Sequence, residues 1–486
     1  MKKISIDPIT RLEGHGKIDI FLDEEGSVAN AYLVIPELRG FEKFAEGRRV
    51  EELTDITPRI CGVCPEAHHM ASVKACDAVF HVEVPPTAKK IRELFYSAFY
   101  VADHAVHFYI LAAPDFVLGP TAPVAERNIL GLIHKVGLEI GGRVIRCRGM
   151  AMDIIGELGG RKIHPLCGIP GGVNKAITEE MRARFEATAH ELVDFGLFSL
   201  QLFRDIVLAN KGYVDMILSD AFTMPTYYMG MVDEHNRTNF YDGQVRVVGP
   251  DGKELLKYSP QEYLSVVAER VEPWTYLKFP YLKAVGWKGL VPGKDSGVYQ
   301  ATPLSRLNAA DGMATPRAQE AYEEFYKTLG GKPVHHVLAT HWARLIELLY
   351  AAERLLELCT DPEITNPHVR NIPTATPDEG VGIVEAPRGT LTHHYITDER
   401  GIVTKCNLIV GTTNNYAPIS IAVKKAAQGL IQKGQAITEG VLNQVEMAFR
   451  AYDPCFGCAT HALPGQMPLE VRIFDADGQL VDVLRR

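Results

Sequence analysis

The chain has 486 residues, of which 46% are hydrophobic and 23% are charged, the composition of a large globular protein. Its 51 lysines and arginines are outnumbered by 60 aspartates and glutamates, and no basic run is suited to nucleic-acid phosphates. Its nine cysteines are not dense enough for a disulfide framework and are typical of thiols in a reducing compartment. These properties argue against nucleic-acid binding and against a disulfide-stabilised secreted fold.

The beginning of the chain shows no sign of export or of membrane insertion. Residues 1–8 lack the apolar segment of a secretory signal. The most apolar stretch, residues 94–118, contains Asp103, His104 and Asp115, which a bilayer span would not carry. We therefore predict a buried helix there, no membrane span and a cytoplasmic location, although a partner carrying a signal could still export the chain.

The N-terminal margin is predicted to be β-rich and the centre to be helical. Ile18, Ile20 and Leu22 alternate along the chain with Lys17, Asp19 and Phe21, which is the pattern of a strand. Residues 23–26 are predicted to form a turn into a second strand that reaches Val34. Apolar residues then recur three and four positions apart in three stretches, which predicts helices. These stretches are residues 88–113, 124–142 and 176–210.

The second half of the chain combines short strands, loops and further helices. Residues 212–316 are rich in Gly, Pro, Tyr and Asp, which predicts short strands and loops on a helical body. A helix over 333–358 is followed by a Pro-rich connector, 361–388, and a strand-like segment to Val410. Two further helices are predicted near residues 417–433 and 436–450. The predicted fold class is mainly α with β-rich margins (α+β), in one domain with a large central helical bundle.

Two Cys-x-x-Cys pairs lie near opposite ends of the chain, and each is followed by a histidine. These six residues are Cys61, Cys64, His68, Cys455, Cys458 and His461. The spacing lets two sulfurs bind one metal ion, because a thiolate is a soft ligand. Folding has to bring the two pairs together before a site of four thiolates can exist, so the predicted site is buried at the centre of the fold.

Other interpretations of the cysteines remain open at this point. A single pair would fit half of a structural zinc site, a redox dithiol or two unrelated buried thiols. Structural zinc sites usually gather their ligands over tens of residues, and a thioredoxin-like dithiol would lie in a βαβ pattern that is not found here. Four buried thiolates need positive charge nearby, which Arg59 and Arg388 could supply. Because a thiolate can bridge two metals, the four could hold a binuclear centre with an open coordination position.

The residues around the cysteines resemble the motifs of the large, catalytic subunit of nickel–iron hydrogenases. The family pattern Arg-x-Cys-Gly-x-Cys-x-x-x-His is met by residues 59–68, and Asp-Pro-Cys-x-x-Cys-x-x-His by residues 453–461. Shorter family elements match at residues 11–15, 39–42, 103–104 and 386–389. The resemblance covers essentially the whole chain and is greatest to the soluble bidirectional branch, which serves nicotinamide- or heterodisulfide-linked acceptors.

The resemblance implies a nickel–iron centre whose iron carries cyanide and carbon monoxide. Cys61 and Cys455 would be terminal ligands of nickel, whereas Cys64 and Cys458 would bridge nickel to iron. A magnesium or similar divalent ion would be held nearby by a second set of residues. That set is Glu42, the backbone carbonyl near Leu408, and His461.

The resemblance also implies roles for residues around the metals. Glu13 would accept a proton from the Cys458 sulfur and pass it outwards. Arg388 would lie over the open nickel–iron position, with Asp453 orienting it. The remaining neighbours of the centre would be His68, Asp103 and Pro387. Without the resemblance, Glu13 would be interpreted as a salt-bridged carboxylate and Arg388 as a brace for a turn.

Histidines and cysteines outside the motifs are predicted to be structural. The histidines are His107, His335, His336 and His341, each interpreted as a polar group satisfied in the core. The cysteines without paired spacing are Cys76, Cys147, Cys167, Cys359 and Cys406.

The reaction implied by the resemblance is the reversible heterolytic cleavage of H2 into protons and electrons. The chain has no further cysteine pattern for iron–sulfur clusters, so a separate iron–sulfur small subunit would be required to carry the electrons away. Further electron-transfer subunits, nickel-insertion proteins and a maturation protease are also implied. The rival hypotheses are a non-catalytic relative, such as a quinone-site subunit of a redox complex that lacks the four thiolates, and a zinc-binding scaffold.

The last residues of the chain are predicted to be a removable extension. The resemblance implies one domain over residues 1–461 and removal of residues 462–486 once nickel is in place. In the tail, apolar and polar residues alternate on both sides of a turn at residues 475–478, which predicts a hairpin. This hairpin could pair with the N-terminal strands until residues 462–486 are removed. The alternative is an edge hairpin that the mature protein keeps.

Overall fold

The protein is described by a computed structural model that covers residues 2–272, 275, 277–460, 470–474 and 479–485. Helices of eight residues or more are numbered here in chain order. They are α1 (Pro65–Val79), α2 (Pro86–Val106), α3 (Ile129–Val136), α4 (Leu138–Gly159), α5 (Glu179–Phe203), α6 (Lys211–Leu218), α7 (Pro316–Thr328), α8 (Thr340–Thr360), α9 (Tyr416–Leu430) and α10 (Glu439–Arg450). Shorter helices are Phe41–Ala45, Leu53–Ile56, Ala113–Val117, Tyr263–Val266, Pro303–Ala309, Gly411–Asn414 and Phe456–Ala459.

The centre of the molecule is a helical bundle built around α8. This helix packs against α2 and α5, and α4 also packs against α2. Residues such as Trp342, Leu345 and Leu349 of α8 are fully buried between its neighbours. Their spacing of three and four residues keeps apolar side chains on the faces that contact other helices, and removal of that apolar surface from water stabilises the bundle. Helices α2 and α5 each continue into a short π-helical segment, His107–Ala112 and Arg204–Leu208.

Small antiparallel sheets surround the bundle. Strands Lys2–Ile6, Lys17–Leu22 and Val28–Val34 form the N-terminal sheet, and strands Glu379–Ala386, Gly389–Thr397 and Val403–Ile409 form another. The region between α6 and α7 contains a sheet of mixed direction and a separate hairpin. Its strands are Tyr227–Val232, Arg237–Thr238, Gln244–Val248, Glu254–Tyr258, Tyr299–Gln300 and Gly312–Met313, with the hairpin Val267–Val271 and Lys278–Leu282. A two-residue hairpin, Gly168–Ile169 with Gly172–Val173, separates α4 from α5.

The sequence-based fold class, mainly α with β-rich margins, is confirmed. The predicted helix over 124–142 is wrong, because Gly137 adopts a φ of 88° and divides the region into α3 and α4. The predicted connector over 361–388 ends earlier than expected, because its C-terminal part forms the strand Glu379–Ala386. Within the part of the chain that the structure describes, no helix is both long enough and apolar enough to cross a membrane.

The tail contains the two predicted strands. Strands Glu470–Phe474 and Leu480–Arg485 pair with each other in antiparallel fashion. Among the described residues they form a sheet of their own, and the N-terminal sheet has its own three strands. The predicted turn at 475–478 lies outside the described residues.

Candidate metal centre

The fold brings the two cysteine pairs together at one buried point. Cys61 Sγ lies 3.3 Å from Cys455 Sγ, and Cys64 Sγ lies 3.4 Å from Cys458 Sγ. All four sulfurs lie within 4.8 Å of one another, and each cysteine is at most 4% exposed. Within the described residues, this is the only group of three or more metal-binding side chains that converge in this way. The geometry is that of a single site with four soft ligands.

Short loops at the ends of helices hold the first pair. Cys61 follows a 3-10 turn, and Cys64 immediately precedes α1, which starts with Pro65. The backbone N–H groups of Val63 and Cys64 both point at Cys61 Sγ, at 3.2 Å. Proline at the first helical position fixes the backbone where the second cysteine leaves the loop. Two local hydrogen bonds therefore stabilise negative charge on Cys61.

The N-terminal loop holds the second pair. Glu13 forms an isolated parallel β-bridge with Cys455, and its carbonyl accepts the N–H of Phe456 at 3.0 Å. The Thr412 hydroxyl oxygen accepts the N–H of Cys455 at 3.0 Å. Residues from both ends of the chain thus share one hydrogen-bonded framework around the sulfurs.

Burial, hydrogen bonds between the cysteines and the charge of Arg388 together determine which of the buried thiols ionises. Burial raises the pKa of Cys455 and of Cys458 well above the ordinary value for cysteine. Burial also opposes ionisation of Cys61, but hydrogen bonds from the other cysteines and the charge of Arg388 lower its pKa well below the ordinary value. One thiolate is therefore favoured and further ionisation is costly. A soft metal would supply the positive charge that the remaining thiolates need, so the donor set fits such a group.

Glu13 lies against the second pair, and it contacts a different sulfur from the one expected. Its Oε2 lies 2.9 Å from Cys455 Sγ and accepts the N–H of Gly457 at 2.9 Å. The expected proton transfer from Cys458 to Glu13 stays a prediction, and the structure adds Cys455 as a sulfur in direct contact with the carboxyl group. Burial, followed by the charge of Cys61, raises the pKa of Glu13. The protonated form of this carboxyl group is therefore favoured more than in an exposed glutamate.

Arg388 lies beside the sulfurs between two carboxylates. Its Nη1 donates to Asp103 Oδ2 at 3.0 Å, and its Nη2 lies 3.0 Å from Asp453 Oδ2. The Asn415 side-chain amide donates to the Arg388 carbonyl at 2.7 Å. Although burial opposes it, the charges of Asp103 and Asp453 raise the pKa of Arg388 well above its ordinary value. The guanidinium is therefore a fixed, oriented positive charge.

A small cavity connects Arg388 with the sulfurs. Its empty volume is about 240 Å³. Its lining residues are Cys64, His68, Ala386, Arg388, Leu391, Val410, Gly411, Thr412, Cys455 and Cys458. Pro387 lies in the same turn, where its carbonyl accepts a hydrogen bond from Arg306 Nη2 at 3.0 Å. The cavity thus lies between the cysteines, the arginine and an apolar wall.

Two histidines at the centre were not expected there from the sequence. His107 Nδ1 lies 2.9 Å from Asp453 Oδ1, so this histidine belongs to the surroundings of Arg388 and is more than a core residue. Its position one helical turn after Asp103 could have indicated this, because residues four apart share a helix face. His68 Nδ1 lies 3.2 Å from His393 Nε2 on the neighbouring sheet. No motif pointed to His393.

The expected divalent-cation site contains charges of both signs. Glu42 Oε1 accepts the N–H of Leu408 at 2.8 Å, and Glu42 Oε2 lies 3.5 Å from Lys278 Nζ. Lys278 also lies 3.4 Å from Glu269, whose Oε1 is buried without a hydrogen-bond partner among the described residues. His461, the third expected ligand, lies outside the described residues. Two nearby carboxylates, one with an unsatisfied oxygen, fit a hard divalent cation.

Comparison with protein families gives matches over most of the chain. The family model described as "Nickel-dependent hydrogenase" matches residues 39–128 and 185–461. A second, described as "HoxL-like", matches residues 3–38. The matched ranges include both cysteine pairs, Glu13 and Arg388.

Individual relatives align from end to end. The F420-non-reducing hydrogenase iron-sulfur subunit of Archaeoglobus profundus is 50% identical over 485 residues, with 100% of each chain covered. The NAD-reducing hydrogenase HoxS subunit beta of Cupriavidus necator is 38% identical over 495 residues, with 99% of each chain covered. A crystal structure of an NAD+-reducing NiFe-hydrogenase in the H2-reduced state is similar, with a TM-score of 0.89 and 37% identity, covering 95% of this chain and 100% of that chain.

Proposed function

The chain belongs to the nickel-dependent hydrogenase family as a large subunit, and from this premise we propose that its four-cysteine site binds a nickel–iron centre that cleaves H2 reversibly and heterolytically. The observation that carries the proposal is the convergence of Cys61, Cys64, Cys455 and Cys458 within 4.8 Å beside Arg388. When bound, the metals would supply an open coordination position that polarises H2. The protein itself supplies ligands, a fixed cation and a base.

The proposed division of the ligands follows the family motifs, and all four sulfurs lie close enough together to share one centre. Cys61 and Cys455, 3.3 Å apart, would be the terminal ligands of nickel. Cys64 and Cys458, 3.4 Å apart, would bridge nickel and iron, with cyanide and carbon monoxide completing the iron shell. Apolar residues such as Leu391 border the cavity and would limit access of water to the metals.

Glu13 is the proposed proton acceptor. It contacts Cys455 Sγ, which is a proposed terminal ligand, so a proton on that sulfur is within direct reach of Oε2. The raised pKa of Glu13 brings its acid and base forms closer in energy near neutral pH, which general acid–base catalysis requires. His15 and Glu37 lie beyond it at the protein surface, where they pair at 2.6 Å.

Arg388 is the proposed fixed cation over the open position. Asp103 and Asp453 hold both ends of its guanidinium, so it can stabilise developing negative charge without having to reorganise. His107, in contact with Asp453, would keep that carboxylate in place. Pro387 and His68 would complete the wall around the metals.

A magnesium or similar ion is proposed at Glu42. The unsatisfied oxygen of Glu269 supports a cation there, and Leu408 lies close enough to take part through its backbone. The carbonyl of Leu408 and the side chain of His461 would be the remaining protein ligands. Lys278 would lie outside the ligand shell and balance the second carboxylate.

The electrons would leave through a separate iron–sulfur small subunit. The described residues contain one converging set of metal ligands and no second thiolate cluster. We further propose additional electron-transfer subunits and the soluble bidirectional branch, because the relatives include NAD-reducing and F420-non-reducing enzymes. Maturation would require nickel-insertion proteins and a protease that removes residues 462–486 from a catalytic domain of residues 1–461.

Metal analysis with infrared spectroscopy tests the proposal. The chain purified with its partners is expected to contain about one nickel per chain, with bands from metal-bound cyanide and carbon monoxide. Cys458→Ser should abolish both the nickel and the bands. Cys76→Ser changes a thiol that is equally buried outside the cluster and should leave the metal content unchanged. Zinc alone in a fully matured preparation would contradict the proposal and favour a scaffold.

A further inference from the structure

The short helix Pro303–Ala309 places a buried arginine beside the turn that carries Arg388. The helix begins with a proline, and the hydroxyl oxygen of Thr302 caps it by accepting the N–H of Ser305 at 3.2 Å. Arg306 follows directly and is 0% exposed. A buried cation is costly unless its N–H groups are paired, so the partners of this side chain indicate what it does.

The guanidinium of Arg306 uses all five of its N–H groups. Glu347 of α8, which is equally buried, accepts from Nε at 2.6 Å and from Nη2 at 2.7 Å. Nη1 donates to Glu385 Oε2 at 3.1 Å and to the Ala386 carbonyl at 3.0 Å, and Nη2 also donates to the Pro387 carbonyl at 3.0 Å. Because only arginine offers five donors in a rigid planar fork, no other side chain could form this set of bonds.

The fork joins two carboxylates to the turn at the metal cavity. Pro387 and Arg388 are the two residues of the hairpin turn between the paired residues Ala386 and Gly389. Ala386 and Arg388 both line the cavity together with the cysteines. Hydrogen bonds from a charged donor are stronger than neutral ones, so Arg306 restrains the backbone on the N-terminal side of Arg388.

The same cluster reaches the side-chain end of Arg388. Glu347 Oε2 lies 2.9 Å from His104 Nε2. His104 follows Asp103 in α2, and Asp103 Oδ2 accepts from Arg388 Nη1 at 3.0 Å. Glu347 is thus connected with Arg388 by two routes, through Arg306 to its backbone and through α2 to its guanidinium.

Other contacts restrain the turn from further directions. The hydroxyl groups of Tyr96 and Tyr100 donate to the Glu385 carbonyl at 2.5 and 2.7 Å. A Cβ atom on Gly389 would lie 2.3 Å from the carbonyl oxygen of Ala301, which immediately precedes the cap of the short helix. The short helix is therefore packed directly against the turn, with its arginine beneath the two carbonyls.

We propose that Arg306 is a positioning residue of the proposed hydrogenase reaction, because its bonds to the carbonyls of Ala386 and Pro387 set the place of Arg388 at the metal cavity. This proposal rests on the proposed function, in which Arg388 is the fixed cation over the open position. A cation stabilises developing charge best when it is held in place in advance. A displacement of about 1 Å at a reacting centre can lower the rate about 10²-fold.

Arg92 provides the matched comparison for a purely structural role. It is 1% exposed, and its guanidinium donates to Asp77 Oδ2 at 2.6 Å and to the carbonyls of Ile169 and Gly172 at 2.9 and 2.7 Å. None of these partners lines the metal cavity. The two arginines share burial and the kind of bonds they form, but Arg306 alone of the two holds the turn.

Arg306→Lys in the complete enzyme tests the proposal. Lysine keeps the charge but has three donors for five acceptors, so at least two acceptors lose their bonds. We expect kcat for H2 oxidation to fall about 10²-fold at an unchanged KM. The infrared bands of metal-bound cyanide and carbon monoxide should shift, because the residues around them move, whereas the nickel content should not change. Arg92→Lys should lower the melting temperature but keep the wild-type bands and kcat.

Wild-type bands and kcat in Arg306→Lys would overturn the proposal, as would equal shifts in Arg92→Lys. If Arg306→Lys does not assemble, Glu347→Asp decides the question. This substitution keeps both charges but withdraws the carboxylate from the guanidinium, so the same bands should shift and kcat should fall. Unchanged bands and kcat in that variant would equally contradict the role of Arg306.

Hydrogen–deuterium exchange in the same complex measures the hold on the turn independently of the metals. Backbone amides of residues 385–390 should exchange faster in Arg306→Lys than in the wild type, and at the wild-type rate in Arg92→Lys. Unchanged exchange in Arg306→Lys would overturn the proposal. A wild-type complex without nickel or the infrared bands would contradict the proposed function instead, so the two ideas are contradicted by different measurements.

Discussion

At the scale of single residues, Glu13 joins the backbone framework to the proposed chemistry. Its main chain bridges Cys455, and its carboxyl group contacts the sulfur of the same residue at 2.9 Å. Burial and the charge of Cys61 favour its protonated form, so its pKa is raised. A base in direct contact with a proposed metal ligand needs no intervening water to accept a proton.

We expect Glu13→Gln to lower H2 oxidation by about 10²–10⁴-fold, because the amide keeps the shape of the side chain but cannot accept the proton. The nickel content should not change, since Gln can still contact Gly457. Activity and metal content are measured on the same preparation. Glu25→Gln, at an exposed carboxylate, is the control. Wild-type activity in the Glu13 variant would show that protons leave by another route.

His69 is a neutral histidine that joins three segments near the metal centre. Its Nδ1 donates to the Thr54 carbonyl at 2.8 Å, and its Nε2 accepts the N–H of Gly168 at 2.9 Å. Both bonds require the neutral ring with the proton on Nδ1. Burial lowers the pKa of His69 to about 4.

This lowered pKa predicts a loss of stability on the acid side. Between about pH 6.5 and pH 4 the unfolded chain binds a proton at His69 that the folded chain does not, so the free energy of unfolding falls by up to about 3 kcal/mol. His69→Gln cannot titrate and should show a shallower fall in melting temperature between pH 7 and pH 5. His134→Gln, on the exposed side of α3, should behave like the wild type. Equal slopes for His69→Gln and the wild type would exclude this contribution.

At the scale of elements, the position of α1 depends on two glycines in the sheet beneath it. A Cβ atom on Gly380 would lie 2.4 Å from the Ala75 carbonyl oxygen, and one on Gly382 would lie 2.2 Å from the Ala71 carbonyl oxygen. The helix backbone therefore lies directly on the strand. Because Cys64 precedes α1 and His68 lies within it, this close packing sets the height of both residues above the sheet.

We expect Gly382→Ala to destabilise the protein by about 1–3 kcal/mol, because the added methyl group has to push α1 away from the strand. Nickel retention should fall as well, since Cys64 moves with α1. Thermal unfolding and metal analysis measure the two effects. Gly149→Ala is the control, because a Cβ atom there is unopposed and alanine favours a helix by about 0.5–1 kcal/mol over glycine. A Gly382 variant as stable as the wild type would contradict the packing argument.

At the scale of the whole molecule, the site exists only when both ends of the chain are in place. Cys61 and Cys455 are separated by almost the full length of the chain, yet their sulfurs lie 3.3 Å apart. Thr460 is the last described residue before the tail, and its carbonyl accepts the N–H of Arg39 at 2.8 Å. A segment that continues directly from this point is well placed to influence closure of the site.

We expect the active enzyme to end at residue 461, because the resemblance to nickel–iron hydrogenases implies that residues 462–486 are removed once nickel is in place. The nickel-free precursor should keep the full 486 residues. Mass spectrometry of both forms measures the difference. Active, nickel-loaded enzyme that still ends at Arg486 would show that the tail is a retained part of the mature protein.

Much of this protein could be predicted from the sequence because the signals are local. Helical spacing identified α2, α5 and α8, and alternation identified the N-terminal strands. The cysteine motifs pointed to one buried metal site, because a pair at fixed spacing is a ligand set whatever surrounds it. Where a glycine changes the backbone locally, as at Gly137, spacing alone predicted one helix in place of two.

The sequence by itself determined the family and predicted the class of site and its thiol ligands, since these depend on residue types at short, fixed distances along the chain. Only the tertiary structure decided that Glu13 contacts Cys455, that His107 lies beside Asp453 and that Lys278 lies beside Glu42. Those contacts join residues distant in sequence, and the packing of helices and sheets fixes which of many possible partners meet. Pairing of that kind leaves no periodic or spacing signal in a single chain.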